Sequence, residues 1–149
     1  VPAGRPRDPA TRRAVSPTTI EVAAGLVFHQ GRLLITQRPA TGHLAHLWEF
    51  PGGKREPGES FEACLRRELQ EELAIEVAVG VLLSEITHEY PEKTVRLRFF
   101  KCRWTGDEPR AIGCQDFRWV TVGELDSYPF PAADVRLLEQ LKCSTEWWL

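Results

Sequence analysis

The stretch from Gly53 to Ile75 constrains this chain more than any other. A loop enclosed by Pro51-Gly52-Gly53 and Pro57-Gly58 runs into a segment where Glu68, Glu71 and Glu72 crowd together, with Glu59 nine residues before the first of them. At about 100° per residue, the three glutamates share an arc of roughly 100° on one helix face. Like charges three and four apart cost about 0.2–0.5 kcal/mol per pair, so a compensating cation is implied. Leu65, Leu69 and Leu73 recur at i, i+4 and i+8 beside them, a stripe that docks the helix on a core and leaves the acidic face lining a cleft. Ser60 is the expected N-cap, with Glu62 in the positive first turn. The glycines ahead of it let the backbone pass close to a bound ion or phosphate.

Three such carboxylates can share Mg²⁺, which prefers oxygen ligands, keeps several of its waters and completes its shell with substrate phosphates. A solvated acidic helix behind a turn is the plainer reading of the same residues. The segment resembles the Nudix box, G-x5-E-x7-R-E-U-x-E-E-x-G-U, where U is a bulky aliphatic residue. Gly53, Glu59, Arg67, Glu68, Leu69, Glu71, Glu72 and Ile75 match it, and Ala74 replaces the last glycine. Ile35-Thr36-Gln37-Arg38, Trp48 to Lys54 and Tyr128 to Asp134 extend the similarity to the MutT-like branch, over roughly residues 20–142.

A chain of 149 residues with 42% hydrophobic content suffices for one compact domain, expected over residues 19–149. The net charge of −2 offers no general attraction to nucleic-acid polymers, so a small-molecule nucleotide is the expected partner. Cys64, Cys102, Cys114 and Cys143 have no CxxC spacing, and no apolar run is long enough for a signal core or a membrane span. A reducing cytoplasm is the expected setting, with a monomer or homodimer as the assembly. Residues 1–18 carry four prolines and four arginines without apolar period and read as a disordered tail, a basic arm on nucleic acid being the alternative.

Strands are expected at Glu21–Phe28 and Arg32–Arg38, joined by a His29-Gln30-Gly31 turn, with a short strand at Trp48–Phe50 entering the glycine loop. A helix follows over about Ser60–Leu73. Ile75–Glu89 and Thr94–Trp104 are β-rich around a Tyr90-Pro91-Glu92-Lys93 turn, Phe117–Thr121 is another strand, and Ala132–Lys142 a closing helix. The fold class expected from this order is α+β, an α/β/α sandwich with a mixed sheet between helices, as the Nudix resemblance also implies.

The resemblance further implies Mg²⁺-dependent hydrolysis, with Mn²⁺ able to substitute. The substrates implied are (deoxy)nucleoside triphosphates, oxidised or modified ones such as 8-oxo-dGTP or modified dCTP, cut to nucleoside monophosphate and pyrophosphate. Glu68, Glu71, Glu72 and the Gly52 carbonyl are the implied metal ligands, with Glu59 and Arg67 in the same catalytic group and Arg67 orienting a glutamate by ion pairing. Lys54 is a candidate phosphate contact or an ordinary exposed lysine. Clustered carboxylates titrate as a set, which leaves the general base unassigned. Where relatives often place a further acidic ligand, this chain has Gly113 and Cys114; Asp116 is either its substitute or a turn residue. Arg38, His43, Phe50 and Asp134 stand where MutT-like relatives contact the base. Each has a plain alternative: surface residues for Arg38 and His43, core for Phe50, a helix cap for Asp134. A carboxylate at 134 accepts hydrogen bonds and suits the cytosine amine or the guanine N1/N2 edge. A second function class is a non-catalytic module for oxidised bases, like the C-terminal domain of the MutY adenine glycosylase.

Overall fold

The computed structural model describes residues 18–149, so the expected tail lies outside the described residues except for Thr18, which opens the first strand. Strands β1 (Thr18–His29), β2 (Arg32–Gln37), β3 (Trp48–Glu49) and β4 (Gly52–Lys54) lead into helix α1 (Phe61–Leu73). Then follow β5 (Glu76–Glu89), β6 (Lys93–Gly106), β7 (Asp116–Val120) and helix α2 (Val135–Cys143), with short 3-10 turns at Val122–Ser127, Ala132–Asp134 and Thr145–Trp148. The strands form one sheet ordered β3-β2-β1-β6-β5, to which β4 adds against β1 and β7 against β2.

The central strand β1 is parallel to β6 and antiparallel to β2 and β4, so the sheet is mixed. It reads as a continuous apolar run because both of its faces are covered. Ala23 and Val27 face α1, joining Leu65, Leu69 and Leu73 in one core cluster, whereas Ala24, Leu26 and Phe28 join Leu137, Leu141 and Phe99 in the other. The result is the expected sandwich, a mixed sheet between helical layers, with the leucine stripe of α1 fully buried.

Three expectations change in detail. Gly52–Lys54, read as loop, is a strand paired to Val22–Ala24, because the Gly25 amide donates to the Pro51 carbonyl at 2.7 Å and draws the segment onto β1. The strand before it is shorter, ending at Glu49. The closing helix is divided: Ala132–Asp134 is a 3-10 turn, and α2 proper begins at Val135.

The expected N-cap holds, the Ser60 hydroxyl accepting the Ala63 amide at 3.0 Å. At the other end of α1, Ala74 is left-handed (φ 58°, ψ 37°), and its amide donates to the Gln70 carbonyl. A Cβ in that conformation costs about 1–2 kcal/mol, which glycine avoids. Ala74→Gly is therefore expected to stabilise the protein by about 1 kcal/mol. A denaturant titration checks this by sign, since a helix continuing through residue 74 would make the same change destabilising.

Candidate active site

The acidic face of α1 meets β4 at the mouth of a cleft. Glycine is required there by close approach rather than by flexibility. A Cβ on Gly52 would strike the Ala23 carbonyl and Ala24 Cα, and one on Gly53 would strike the Glu68 carboxylate. The helix is thus seated directly on the glycine strand. Cys64 adds a weak tie, its thiol lying 3.6 Å from the Gly53 carbonyl and 3.5 Å from that of Lys54.

Arg67 organises the charge. Its Nε and Nη2 donate to the two oxygens of Glu59 at 2.7 and 2.9 Å, its Nη1 donates to Glu68 at 2.9 Å and to Glu71 at 3.5 Å, and Nη2 also reaches the Lys54 carbonyl. This bidentate pairing and the Glu56 amide hold the Glu59 carboxyl down at about 2, while the carboxylates around Arg67 push its own pKa up. Glu59 is committed to Arg67, and Arg67 to its three glutamates and the Lys54 carbonyl of β4.

Glu72 is the carboxylate that Arg67 does not reach. It turns into the cleft, where its Oε1 is buried without a hydrogen-bond partner. Burial first, then the charges of Glu49 and Glu68, pushes its pKa up to about 8. An orphaned buried carboxylate oxygen is costly and marks a place for an external partner. Glu68, also raised by burial, stands beside it, whereas Glu71 is mostly exposed. These hard oxygen donors suit a divalent cation. Among the described residues, no three of them already converge into a cation cage, because Glu68 and Glu71 point at Arg67. Each of the two spends one oxygen on Arg67, Glu68 Oε2 and Glu71 Oε1, and leaves its other oxygen outside that pairing.

The cleft has an inner hollow of about 270 Å³ and an outer one of about 440 Å³. Gly52, Gly53, Phe50 and Glu72 line the inner part, and His43, Leu44 and Tyr90 the outer; Arg38, Glu49, Lys54 and Asp134 line both. All five residues expected at the substrate therefore meet in one cleft. Phe50 is core, stacked on Phe130 at 5.2 Å and edge-on to Phe99, and it also lines the inner hollow. Arg38 donates from Nε to the His43 carbonyl at 2.9 Å and from Nη1 to Glu49 at 3.2 Å, which ties the loop after β2 to the cleft wall.

Asp134 is buried at 8% exposure, yet it makes no capping hydrogen bond to α2. The 3-10 turn ahead of the helix leaves its carboxylate free to face the cleft, where burial and then the Glu49 charge push its pKa up to about 7. Glu49 is the residue that sequence reasoning missed. It lay within the Trp48 to Lys54 similarity, but as one residue of a short strand nothing indicated that it would face Asp134 and Glu72. Its own pKa is raised by burial against the opposing pull of Arg38. Asp116 is engaged within its own strand, one carboxylate oxygen accepting from the Phe117 amide and the Arg118 guanidinium at 2.7 Å each, and it does not line the cleft. Gly113, which donates its amide to the Glu72 carbonyl at 3.0 Å, presents no side chain to the site.

A family model described as NUDIX domain matches residues 23–140. The chain is 38% identical to the CTP pyrophosphohydrolase of Escherichia coli K12 over 120 residues, 80% of this chain and 89% of that protein. It is 37% identical to the 8-oxo-dGTP diphosphatase of Haemophilus influenzae over 124 residues, 82% and 90% of the two chains. The solution structure of the E. coli ORF135 protein superposes with a TM-score of 0.76 at 37% identity, covering 85% of this chain and 91% of that one. With the family model spanning most of the chain and relatives of 37–38% identity matched over four fifths of it, this protein belongs to the NUDIX domain family.

Proposed function

We propose that this protein hydrolyses nucleoside triphosphates, including oxidised or modified ones, to nucleoside monophosphate and pyrophosphate, with Mg²⁺ held by Glu68, Glu71, Glu72 and the Gly52 carbonyl. Mn²⁺ can stand in. The observation that carries this reading is the buried, unpartnered oxygen of Glu72 beside a glycine strand in a nucleotide-sized cleft. The relatives named for CTP and 8-oxo-dGTP hydrolysis support the substrate class. A reducing cytoplasm suits the four free thiols.

When bound, the cation neutralises the non-bridging phosphate oxygens and activates the attacking water. The side chains do the rest. Arg67 holds Glu68 and Glu71 in orientation, with Glu59 anchoring the guanidinium, and these two carboxylates together with Glu72 would hold the ion. Lys54, exposed at the glycine strand, meets the phosphate charge. Phe50, backed by the Phe130 ring stacked on it, walls the inner hollow against water. Asp134 and Glu49 place carboxylates against the base, so an edge rich in N–H donors, the cytosine amine or the guanine N1/N2 edge, is favoured. Arg38 holds Glu49 in place, and His43 closes the outer rim.

The decisive experiment is a panel of canonical, 8-oxo, 5-methyl and 5-hydroxy nucleoside triphosphates with Mg²⁺, scored by kcat/KM and by product. Phosphate release without pyrophosphate contradicts the proposed bond cleavage. A folded protein that binds these nucleotides without turning any over is a recognition module instead.

Glu72→Gln is expected to lower kcat by at least about 10²-fold while the protein stays folded, because the amide keeps the shape but loses the charge that holds the ion. Near-normal turnover in saturating Mg²⁺ removes Glu72 from the metal site.

Asp134→Asn is expected to change substrate ranking more than overall catalysis. Replacing an acceptor oxygen with a donor costs cytosine and guanine nucleotides about ten- to hundredfold in kcat/KM, whereas a uniform loss across bases points to a damaged fold. The same variant has a pH signature. The folded-state pKa lies above the ordinary aspartate value near 4, so the folded protein holds this proton more tightly than the unfolded chain does. The stability Asp134 contributes is complete below about pH 4 and is lost as pH rises through about 7. Thermal melts of the metal-free protein should therefore fall less steeply across that window in Asp134→Asn than in the wild type.

A further inference from the structure

Resting on the nucleotide reading of the cleft, we infer that Tyr90, at the tip of the β5–β6 hairpin, stacks on the substrate's base and sets how tightly the nucleoside end is held. The strand register builds the place for it. Ile20 lies opposite Val95 and Val22 opposite Leu97 across the β1–β6 pairing, and His88 lies opposite Val95 across β5–β6. Opposed residues share a sheet face and alternate ones repeat it, so Ile20, Val22, Val95 and Leu97 form one aliphatic floor in the outer hollow. Tyr90 and Lys93 stand at its far end.

Asp134 and Glu49 read a base by its edge and leave its flat faces to other partners. Tyr90 supplies a ring for one of them. It is 38% exposed, braced by the His88 ring at 4.5 Å, and covered by the Lys93 ammonium 5.5 Å from its centroid. An exposed cation over a tyrosine ring is held more weakly than a stacked base, so an entering nucleotide displaces the lysine. The span agrees with this placement. Lys54 pairs with Val22 and Lys93 with Thr18, four residues apart on β1 and on opposite sides of it; about 13 Å along the strand and two strand spacings across set the glycine strand about 16 Å from the hairpin tip. A nucleotide with its phosphates at Lys54 extends its base toward Tyr90.

Calorimetric binding of cytidine and guanosine monophosphates in Mg²⁺, beside inorganic pyrophosphate as a baseless probe, tests this in wild type, Tyr90→Ala, Tyr90→Phe and Tyr90→Trp. Stacking requires Tyr90→Ala to weaken both nucleotides roughly tenfold while pyrophosphate binding stays put, with Phe within about twofold of wild type and Trp equal or tighter. The Phe variant keeps the test independent of folding, since it retains the ring and its packing. Wild-type affinity in Tyr90→Ala, a Phe variant as weak as Ala, or an equal loss for pyrophosphate overturns the stacking role. A wild-type protein that binds neither nucleotide overturns the nucleotide reading itself and this inference with it.

Discussion

The contact on which the site depends is the seating of α1 against the glycine strand β4, where neither Gly52 nor Gly53 has room for a Cβ. This approach brings the Glu68 carboxylate onto the backbone of Gly53 and lays β4 along β1. The leucine stripe supplies the force. Leu65, Leu69 and Leu73 are fully buried, each worth about 1.5–3 kcal/mol relative to exposure, which far exceeds the repulsion among the glutamates on the neighbouring face. Hydrophobic burial thus holds in place an acidic surface that electrostatics alone would disperse.

Charge is then divided unevenly. Arg67 satisfies Glu59, Glu68 and part of Glu71, and leaves Glu72 with a buried oxygen that has no hydrogen-bond partner. Across the cleft Arg38 compensates Glu49, while Asp134 faces the cavity without a hydrogen bond from its own helix. Two uncompensated carboxylates therefore stand at different parts of one cleft. The one on the glycine side is Glu72 and the one on the α2 side is Asp134, and burial raises the pKa of each. They sit on separate elements, α1 and the turn before α2, so under the proposed function base preference and hydrolysis would be carried by different parts of the fold.

What was legible in the sequence is what local physics encodes. The span of α1, its Ser60 cap, its buried stripe and its acidic face follow from a 3.6-residue period and a capping hydroxyl, and all four stand in the structure. β1 and β2 were legible from their apolar runs, the glutamate cluster from its helical spacing, and the rest of the box from its resemblance to the Nudix motif. Glu49 was not, because a residue in a two-residue strand has no periodicity to say which way it faces. The freedom of the Asp134 carboxylate was not legible either, since an aspartate before a helix reads equally as a cap until the preceding turn is seen.

The sequence by itself determined the hydrolase-like segment, the helix that carries it and the layered class of fold, because each rests on residues a few positions apart. Only the tertiary structure decided that β1 runs parallel to β6, that Gly52–Lys54 is a strand, that Ala74 is left-handed, and that Arg38, Glu49, Glu72 and Asp134 share a cavity. Those outcomes depend on packing and pairing between segments far apart in the chain. Their free energy comes from contacts that exist only once the sheet has assembled, and no local pattern records them.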